Sequence, residues 1–476
     1  MHRSVEAKLG AGSIRVTCAV AVALCAAAGV SGCVLAPEGT AAEQTKLKAA
    51  GQPFEPPIED RTLPPVPEPA DWREVLRRGF MANGDLESAY FEWKAALARV
   101  DQAAIWPNSN VAVSYSYLFS SGEMKAWDRS TFGLGFDPSM NLLLPFKTRA
   151  AAKVSLEAAR EAGERFRAAK FELQRRVLGA YLDLALTDEK IRIARDNLQL
   201  LKLLTGSAAS RVGTGAPLQD LLKAQTDSQM AENELANLQA EAESMRSMLN
   251  GMLARDARAG LQLPASLPAP RPLAADDARL IAVAVDQNPE LAGLARQVAG
   301  RQDAIELARL AYLPDLNPSA SFTGGVSQTL GAMAMLPTTL PAIRAMVADN
   351  LAMSRASEAM LRQTRQDRGA SFVANLYFMR NAERQAQLYR QRLVPAAQQL
   401  VNSSREAYAS GMMGFADLID SERMLIAVRL MAAEAQVERE KRLAELEALA
   451  GVDIETLGQP VVDAQAAPVA ASQAAR

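Results

Sequence analysis

The chain has 476 residues, with 52 lysines and arginines against 54 aspartates and glutamates and a formal net charge of −2. This balance argues against both the basic surface of a nucleic-acid-binding protein and a polyacidic tail, so we expect no nucleic-acid partner. The three cysteines and the single histidine all lie within the first 33 residues, so thiol and imidazole chemistry depends on whether that segment stays in the protein.

The first residues have the layout of a secretory signal peptide. Basic residues precede an apolar run from Val16 to Val30, which ends in Val30-Ser31-Gly32-Cys33. The small residues before the cysteine resemble a bacterial lipobox, which implies cleavage before Cys33 and acylation of its sulfur. An ordinary signal peptide or a membrane anchor is the alternative, but the run is shorter than the roughly 20 residues of a membrane-spanning helix. Because Val34 is not Asp, the resemblance also implies transfer to the outer membrane.

Removal of residues 1–32 takes away His2, Cys18 and Cys25 and leaves an acylated Cys33. The mature chain then has no histidine, free thiol or disulfide, which excludes the usual zinc sites and Ser-His-Asp or Cys-His catalysis. No Gly-x-x-x-x-Gly-Lys-Ser/Thr motif is present. We therefore expect a protein that is not an enzyme and holds no cofactor; carboxylate-only catalysis is the one enzymatic alternative left open.

Two segments of the mature chain predict little regular structure. Residues 52–69 contain seven prolines, a density that favours an extended segment over helix or sheet, and we assign residues 33–70 to a lipid anchor and tether. Residues 458–476 are rich in Ala, Gln and Pro without periodicity, and we predict that they are disordered.

Between these segments the chain repeats itself once. Three short motifs recur in the same order: Trp106-Pro107 with Leu313-Pro314, Glu189-Lys190 with Glu383-Arg384, and Asp220-Leu221-Leu222 with Asp417-Leu418-Ile419. We therefore predict a first repeat at residues 71–260 and a second repeat at residues 276–457. A linker at residues 261–275, which contains four prolines, joins them.

Each repeat has the same predicted order of a helix, a pair of strands, a very long helix, a glycine-containing turn and a second long helix. The helical pattern from Phe146 to Leu204 is about 59 residues, or roughly 90 Å at 1.5 Å per residue, which is longer than a globular domain requires. Apolar residues recur at alternating spacings of three and four in the last helix of each repeat, which predicts coiled-coil seams. The predicted helices are Asp71–Ala104, Phe146–Leu204 and Leu218–Met252 in the first repeat, and Asp276–Ala311, Ile343–Ser410 and Phe415–Ala450 in the second.

The predicted strand regions, at about residues 108–144 and 315–336, separate large apolar side chains from small or polar ones by parity. Along Val111–Phe119 the odd positions are Val, Tyr or Phe, whereas the even positions are Ala, Ser or Leu; the fourth strand, around Leu330, is weak. A membrane strand with lipid on one side and water on the other needs this pattern, but an amphipathic strand on a soluble core also gives it. Since even small barrels use about eight strands, a membrane barrel with four strands per chain requires several chains.

A signal peptide, two tandem repeats, two hairpins and very long helix pairs together make residues 71–451 resemble the TolC-like outer-membrane efflux protein family. The motifs that carry the resemblance are Leu313-Pro314-Asp315-Leu316 before a strand, Tyr408-Ala409-Ser410-Gly411 and Asp417-Leu418-Ile419-Asp420 at the second turn, and residues 212–222 at the first turn. The implied fold is mainly α with a membrane β-barrel portion. Long antiparallel coiled helices would form a periplasmic α-barrel, and four strands per chain would complete a trimeric twelve-stranded outer-membrane β-barrel.

The resemblance implies a passive exit duct for small molecules or metal ions across the periplasm and the outer membrane. It implies a homotrimer, lipid-anchored in the cell outer membrane and in contact with outer-membrane lipids. The implied partners are a periplasmic adaptor (membrane fusion) protein and an inner-membrane pump of the resistance-nodulation-division type. Two alternatives stay open: the exit duct of a type I protein secretion system, and a structural envelope lipoprotein that forms no pore.

The candidate site lies at the two helix turns. Glycines there supply the backbone freedom that a helix reversal needs, and the resemblance adds adaptor docking; they are Gly213, Gly215, Gly411 and Gly414. Acids follow the turns, where a carboxylate also interacts favourably with a helix N-terminus; they are Asp220, Asp417 and Asp420. The resemblance implies that these acids line a periplasmic gate that favours cations, with Tyr408 beside them.

One position departs from the family pattern, which has an arginine two residues after the turn glycine. Met413 stands there in this chain, so we expect no salt-bridge latch at that position. Thioethers are soft ligands for Cu(I) or Ag(I). We interpret Met412, Met413, Met333 and Met335 as packing residues, however, and predict no metal site.

Overall fold

The computed structural model describes residues 33–119, 124–136, 142–213, 217–273 and 276–455. The predicted signal peptide and the predicted C-terminal tail lie outside the described residues. The chain divides into two compact units. The sheet unit comprises residues 1–50, 91–163 and 293–361, and the helical unit comprises residues 51–90, 164–292 and 362–476.

Ten α-helices and six strands form within the described residues. The helices are α1 (Thr40–Gly51), α2 (Trp72–Ala82), α3 (Gly84–Ala104), α4 (Pro145–Val212), α5 (Leu218–Met252), α6 (Asp277–Gln287), α7 (Pro289–Leu310), α8 (Leu340–Leu388), α9 (Val394–Ala409) and α10 (Phe415–Ala450). The strands are β1 (Cys33–Val34), β2 (Ile105–Trp106), β3 (Val111–Tyr117), β4 (Ser130–Phe136), β5 (Asp315–Thr323) and β6 (Ser327–Met335). None of the described helices combines the length and the apolar character needed to cross a bilayer.

The first predicted helix, Asp71–Ala104, is wrong as a single element because Asn83 divides it into α2 and α3. The backbone of Asn83 is extended, and its Oδ1 accepts the N–H groups of Asp85 and Leu86 at 3.0 and 3.2 Å. These bonds satisfy two of the free N–H groups at the start of α3. The side-chain amide of Asn83 also donates to the main-chain carbonyl of Met252 at 3.5 Å.

The predicted helix Asp276–Ala311 is divided in the same way, at Asn288. Its Oδ1 accepts the N–H group of Leu291 at 2.8 Å, and its side-chain amide donates to the carbonyl of Leu449 at 2.6 Å. Pro289 follows as the first residue of α7, a position that a proline tolerates. Each asparagine therefore caps a helix and holds the end of the last helix of its own repeat.

The predicted helix Ile343–Ser410 is also interrupted. A π-helical turn at Tyr389–Leu393 separates α8 from α9. Pro395 lies at the start of α9, where it lacks an N–H group to donate and its ring crowds the preceding turn. A wider π turn is one way in which a helix accommodates such a residue without reversing.

The long helices beside the turns agree with the prediction. The bounds of α5 and α10 are those predicted from the sequence. Helix α4 extends beyond the predicted Phe146–Leu204 to 68 residues, which is about 100 Å at 1.5 Å per residue. The heptad spacing therefore identified α5 and α10 correctly, and the uninterrupted helical pattern identified α4 except for its C-terminal end.

The strands β3, β4, β5 and β6 form one antiparallel sheet in that order. The central pairing, β4 with β5, joins a strand of the first repeat to a strand of the second, with Phe132 opposite Phe322. The strand β6, predicted only weakly, pairs with β5 along its whole length. Within the described residues, β3 and β6 each have one unpaired edge.

One face of this sheet is apolar and exposed. Neighbouring rows across the four strands are Val113, Leu134, Ala320 and Leu330, and Tyr115, Phe132, Phe322 and Gln328. Val113 is 76% exposed and Leu330 is 88% exposed, although both are large aliphatic residues. The alternation of large apolar and small or polar side chains that the sequence predicts therefore extends over all four strands, and none of the described residues covers the apolar face.

The N-terminal segment of the sheet unit is folded against the chain. Strand β1 pairs with β2, so the backbone of Cys33 lies opposite Trp106. The N–H group of Leu35 donates to the carbonyl of Ala104 at 2.8 Å. Helix α1 follows, with Leu47 buried. Residues 33–50 therefore differ from the predicted tether.

In the helical unit, the proline-rich residues 52–69 have no strand or α-helix, as predicted, but they are also packed. Phe54 is 3% exposed, and its ring lies 5.3 Å from that of Tyr90. Arg61 is buried; it donates to the carboxylate of Glu87 at 2.9 Å and to the carbonyl of Pro56 at 2.7 Å. Prolines exclude regular structure locally, but they do not prevent the apolar and charged residues between them from packing.

A buried cluster of charges joins the inter-repeat linker to α10 within the helical unit. Arg271 donates to Glu440 and to Glu447, each at 2.9 Å. Arg439 donates to the main-chain carbonyl of Arg271 at 2.7 Å. Burial raises the pKa of the Glu447 carboxyl above its ordinary value, and the neighbouring Arg271 acts in the opposite direction. All four residues are buried, so each charge is stabilised by the opposite charges and hydrogen bonds around it and not by water.

We predict that Arg271→Leu lowers the free energy of unfolding by about 3–5 kcal/mol, because it leaves the buried carboxylate of Glu447 without its cation. Urea-dependent circular dichroism of the detergent-solubilised protein measures the change. Arg258→Leu, at an exposed position shortly before the linker, is the matched control and should change stability by no more than about 0.5 kcal/mol. Equal effects of the two variants would contradict a stabilising role for the cluster.

Candidate functional site

The turn between α9 and α10 is held by its own backbone. Gly411 has φ of +74°, in the left-handed region that disfavours other residues. The N–H groups of Met412 and Met413 both donate to the carbonyl of Ala407, at 2.8 and 3.2 Å, so the chain reverses tightly over the end of α9. Gly414 has φ of −74°, which any residue can adopt, so the backbone requires glycine only at position 411.

The turn between α4 and α5 is described in part. Gly213 follows the last residue of α4, and Gly215 lies outside the described residues. Pro217 precedes α5, and its carbonyl accepts the N–H group of Asp220 at 3.2 Å. The ring of Pro217 fixes its own φ near the value at which a helix begins. The start of α5 is therefore defined by this proline.

A small apolar cluster brings the two turns together within the helical unit. Its buried members are Leu201, Ala224, Phe415 and Ile419, from α4, α5 and α10. Tyr408, from α9, packs against it, with its ring 6.0 Å from that of Phe415 and inclined by 61°. Tyr408 therefore lies beside the turns and contributes to their packing, while its role at a gate stays a prediction.

The predicted acids lie at the starts of α5 and α10. Asp417 and Asp420 are exposed and Asp220 is half-buried. A Cβ atom placed on Gly414 would lie 3.4 Å from Oδ2 of Asp417, so this carboxylate turns back towards the N-terminus of α10. That position is electrostatically favourable for an anion.

Ion pairs near the turns were missed by the sequence analysis. Arg423 of α10 donates to Asp227 of α5 at 3.0 Å, and Arg405 of α9 donates to Glu422 of α10 at 2.8 Å. Arg423 also lies 3.7 Å from the carboxylate of Asp420. The first pair connects the helices of one repeat to those of the other. Its partners are 196 residues apart in the chain, so spacing could not reveal it. An arginine is thus present near the turns although position 413 is a methionine.

The methionines at the turn differ in exposure: Met412 is 81% exposed, whereas Met413 is half-buried. Met333 and Met335 lie in β6, opposite Asn317 and Asp315. Among the residues that the structure describes, no group of three or more His, Cys, Asp or Glu could hold a metal ion. The interpretation of the methionines as packing residues stays a prediction.

A family model described as "Outer membrane efflux protein" matches residues 81–255. This segment contains the first pair of strands, α4, the first turn and α5. No curated protein matches the sequence. The resemblance that the sequence motifs indicate is therefore confirmed over the first repeat by an independent match.

Solved structures extend the similarity of fold to most of the chain. The outer membrane channel MtrE of Neisseria gonorrhoeae is 17% identical, with a TM-score of 0.66 over 82% of this chain and 91% of that chain. The outer membrane protein VceC of Vibrio cholerae is 16% identical, with a TM-score of 0.66 over 80% and 96%. The CmeC channel of Campylobacter jejuni is 14% identical, with a TM-score of 0.66 over 80% and 86%. The predicted fold class is confirmed.

We predict that Phe415→Ala loosens both turns, because it removes a buried ring from the cluster that joins them; the loss is about 3–5 kcal/mol for a large aromatic residue. Hydrogen exchange followed by mass spectrometry should give faster exchange in peptides around residues 201–231 and 408–424. Met412→Ala, at an exposed position of the same turn, should leave both regions unchanged. Faster exchange in the second turn alone would mean that the cluster does not couple the two.

Proposed function

We propose that this chain is the channel subunit of an efflux system, on the premise that residues 81–255 belong to the outer membrane efflux protein family and that the chain has the fold of solved outer-membrane channels. The family consists of ducts and not of enzymes. The observation that carries the proposal is the four-stranded sheet, which exposes a large apolar face and has small and hydroxyl side chains on the other. Lipid outside and water inside require that arrangement.

The proposed assembly is a homotrimer. Among the residues that the structure describes, the sheet of one chain has two unpaired hydrogen-bonding edges, one on β3 and one on β6. Lipid offers no partner for these N–H and C=O groups, so a membrane sheet of this kind must be closed by further strands. Copies of the same chain supply them when β6 of one protomer pairs with β3 of the next, which is a closed rotational arrangement.

The proposed location is the outer membrane, with the helices extending into the periplasm. The proposed partners are a periplasmic adaptor protein and an inner-membrane pump of the resistance-nodulation-division type, which supplies the energy. Exposed apolar residues beside the turns support a docking surface there: Met412 is 81% exposed and Leu218 is 57% exposed. Such residues favour contact with a partner over contact with water.

The proposed lipid anchor is the acylated Cys33. Its backbone lies in β1, paired with β2 a few residues before the membrane strand β3 begins. Val34 and Ile105 in the same pair are 56% and 44% exposed. An acyl chain attached at this point would start beside exposed apolar residues of the sheet unit.

The proposed entrance is formed by the two turns, with Asp220, Asp417 and Asp420 as the acids that favour cations. Gly213, Gly215, Gly411 and Gly414 would allow the chain reversals at which an adaptor docks. Three copies of each exposed acid around an axis would concentrate negative potential at one constriction. The ion pair between Arg423 and Asp227 would hold the helix pairs of the two repeats together there.

We predict that the purified mature protein forms cation-selective channels in planar bilayers and that Asp417→Ala/Asp420→Ala lowers the ratio of potassium to chloride permeability about threefold. Reversal potentials in a KCl gradient measure this ratio. Glu241→Ala, at an exposed acid of α5 away from the turn, is the control and should leave the ratio unchanged. Protein that folds but neither assembles nor conducts would favour the structural lipoprotein instead.

A second prediction concerns the N-terminus. Intact-mass spectrometry of the mature protein should give a chain that begins at Cys33 and carries lipid. Cys33→Ser should retain residues 1–32 and lack lipid, whereas Cys25→Ser should be processed like the wild type. A wild-type mass with an unmodified Cys33 would contradict the anchor.

A further inference from the structure

The polar face of the four-stranded sheet carries almost no charge. Three complete rows cross β3, β4, β5 and β6 on this face, and every member is Ala, Gly, Ser or Thr. The rows are Ala112, Gly135, Ser319 and Gly331; Ser114, Gly133, Ser321 and Thr329; and Ser116, Thr131, Thr323 and Ser327. Hydroxyl groups are therefore the main polar groups that this face offers to a solute.

The side chains on this face are small because the rows are tightly packed. A Cβ atom on Gly133 would lie 2.4 Å from Oγ of Ser114, and one on Gly135 would lie 3.1 Å from Cβ of Ser319. The hydroxyls also bind one another, since Oγ1 of Thr131 is 3.0 Å from Oγ1 of Thr323. The polar face is therefore a tightly packed layer of small residues, most of them serine, threonine or glycine.

Asp315 is the one charged residue within the four described strands. It lies on the polar face, two residues before Asn317 and opposite Met335. Lys147, from the first turn of α4, lies 2.8 Å from its carboxylate, and the same ammonium group donates to the carbonyl of Leu313 at 2.7 Å. The side chain of Lys147 is 6% exposed and that of Asp315 is 13% exposed. The pair thus cancels its own charge and is shielded from water.

We propose that the sheet forms a charge-neutral exit that does not select solutes by the sign of their charge, and that Lys147 is the residue that keeps it neutral by masking Asp315. This inference rests on the proposed function of a channel. Fixed charges set the preference of a wide aqueous pore, and their influence decays over about 8 Å at physiological salt. Rows of hydroxyl groups without fixed charge do not favour the passage of cations over anions, or of charged solutes over neutral ones.

The consequence is that preference for one sign of charge arises elsewhere in the chain. Neutralising the acids at the turns should then remove most of it. A single charge introduced on the polar face should create a new preference, because the one charge on that face within the described strands, Asp315, is paired with Lys147. Lys147 would be a specificity-determining residue although it contacts no solute.

The experiment uses the full-length protein in a background that neutralises five acids. Three are the acids at the turns, changed as Asp220→Asn/Asp417→Asn/Asp420→Asn. The other two, changed as Glu123→Gln/Asp137→Asn, lie outside the described residues and are neutralised so that they add no charge to the measurement. Reversal potentials in a KCl gradient should give a potassium-to-chloride permeability ratio within about twofold of one. In the same background, Ser321→Glu should raise the ratio about fivefold and Ser321→Lys should lower it about fivefold. Ser321→Asn, of similar polarity without charge, should leave it unchanged.

The masking role is tested by Lys147→Met in the same background, which should raise the ratio, and by Lys147→Met/Asp315→Asn, which should restore it. A background that remains strongly selective, or a ratio that does not respond to Ser321→Glu and Ser321→Lys, would overturn the inference. If Lys147→Met fails to assemble, the Ser321 variants still decide the outcome. Absence of conductance from the wild type would instead count against the proposed function, so the two failures are distinct.

Discussion

Strands β3 and β6 each pair on one side only within the described residues, and this unpaired backbone is the constraint on which the proposed architecture depends. An exposed sheet with free edges and an apolar face would associate with other chains without control. Closure by copies of the same chain satisfies both edges at once and gives the apolar face a single environment. The pairing of β4 with β5 joins one hairpin from each repeat, so one edge of each hairpin is already paired within the chain.

The duplication explains why the same local solution appears twice in the helical unit. Asn83 and Asn288 each cap a helix with Oδ1 and reach the end of the last helix of their own repeat with the amide. The two repeats differ at other positions. The second contains a π turn before Pro395, and the linker between them is held by Arg271 against two buried glutamates of α10.

Charge is distributed in three distinct ways. In the helical unit, the cluster around Arg271 buries opposite charges together, where each is costly without its partner. At the turns, Asp417 and Asp420 remain exposed, whereas Asp220 is half-buried. In the sheet unit, the described strands have a single acid, and Lys147 pairs with it. A channel that selects at one place and conducts freely at another needs these last two arrangements together.

Periodicity in the sequence determined the long helices beside the turns and the separation of the sheet into two faces, because heptads and alternation follow directly from helix and strand geometry. The turn glycines and the acids that follow them could also be predicted from the sequence, because a turn between two helices favours particular residue types at its own positions. Only the tertiary structure decided the breaks at Asn83 and Asn288, the burial of Phe54 and Arg61, and the pairs Arg423 with Asp227 and Lys147 with Asp315. The two asparagines cap their helices locally, but their amides also reach main-chain carbonyls in distant parts of the chain, and the other features depend on groups that packing brings together. Such contacts leave no periodic trace in the sequence.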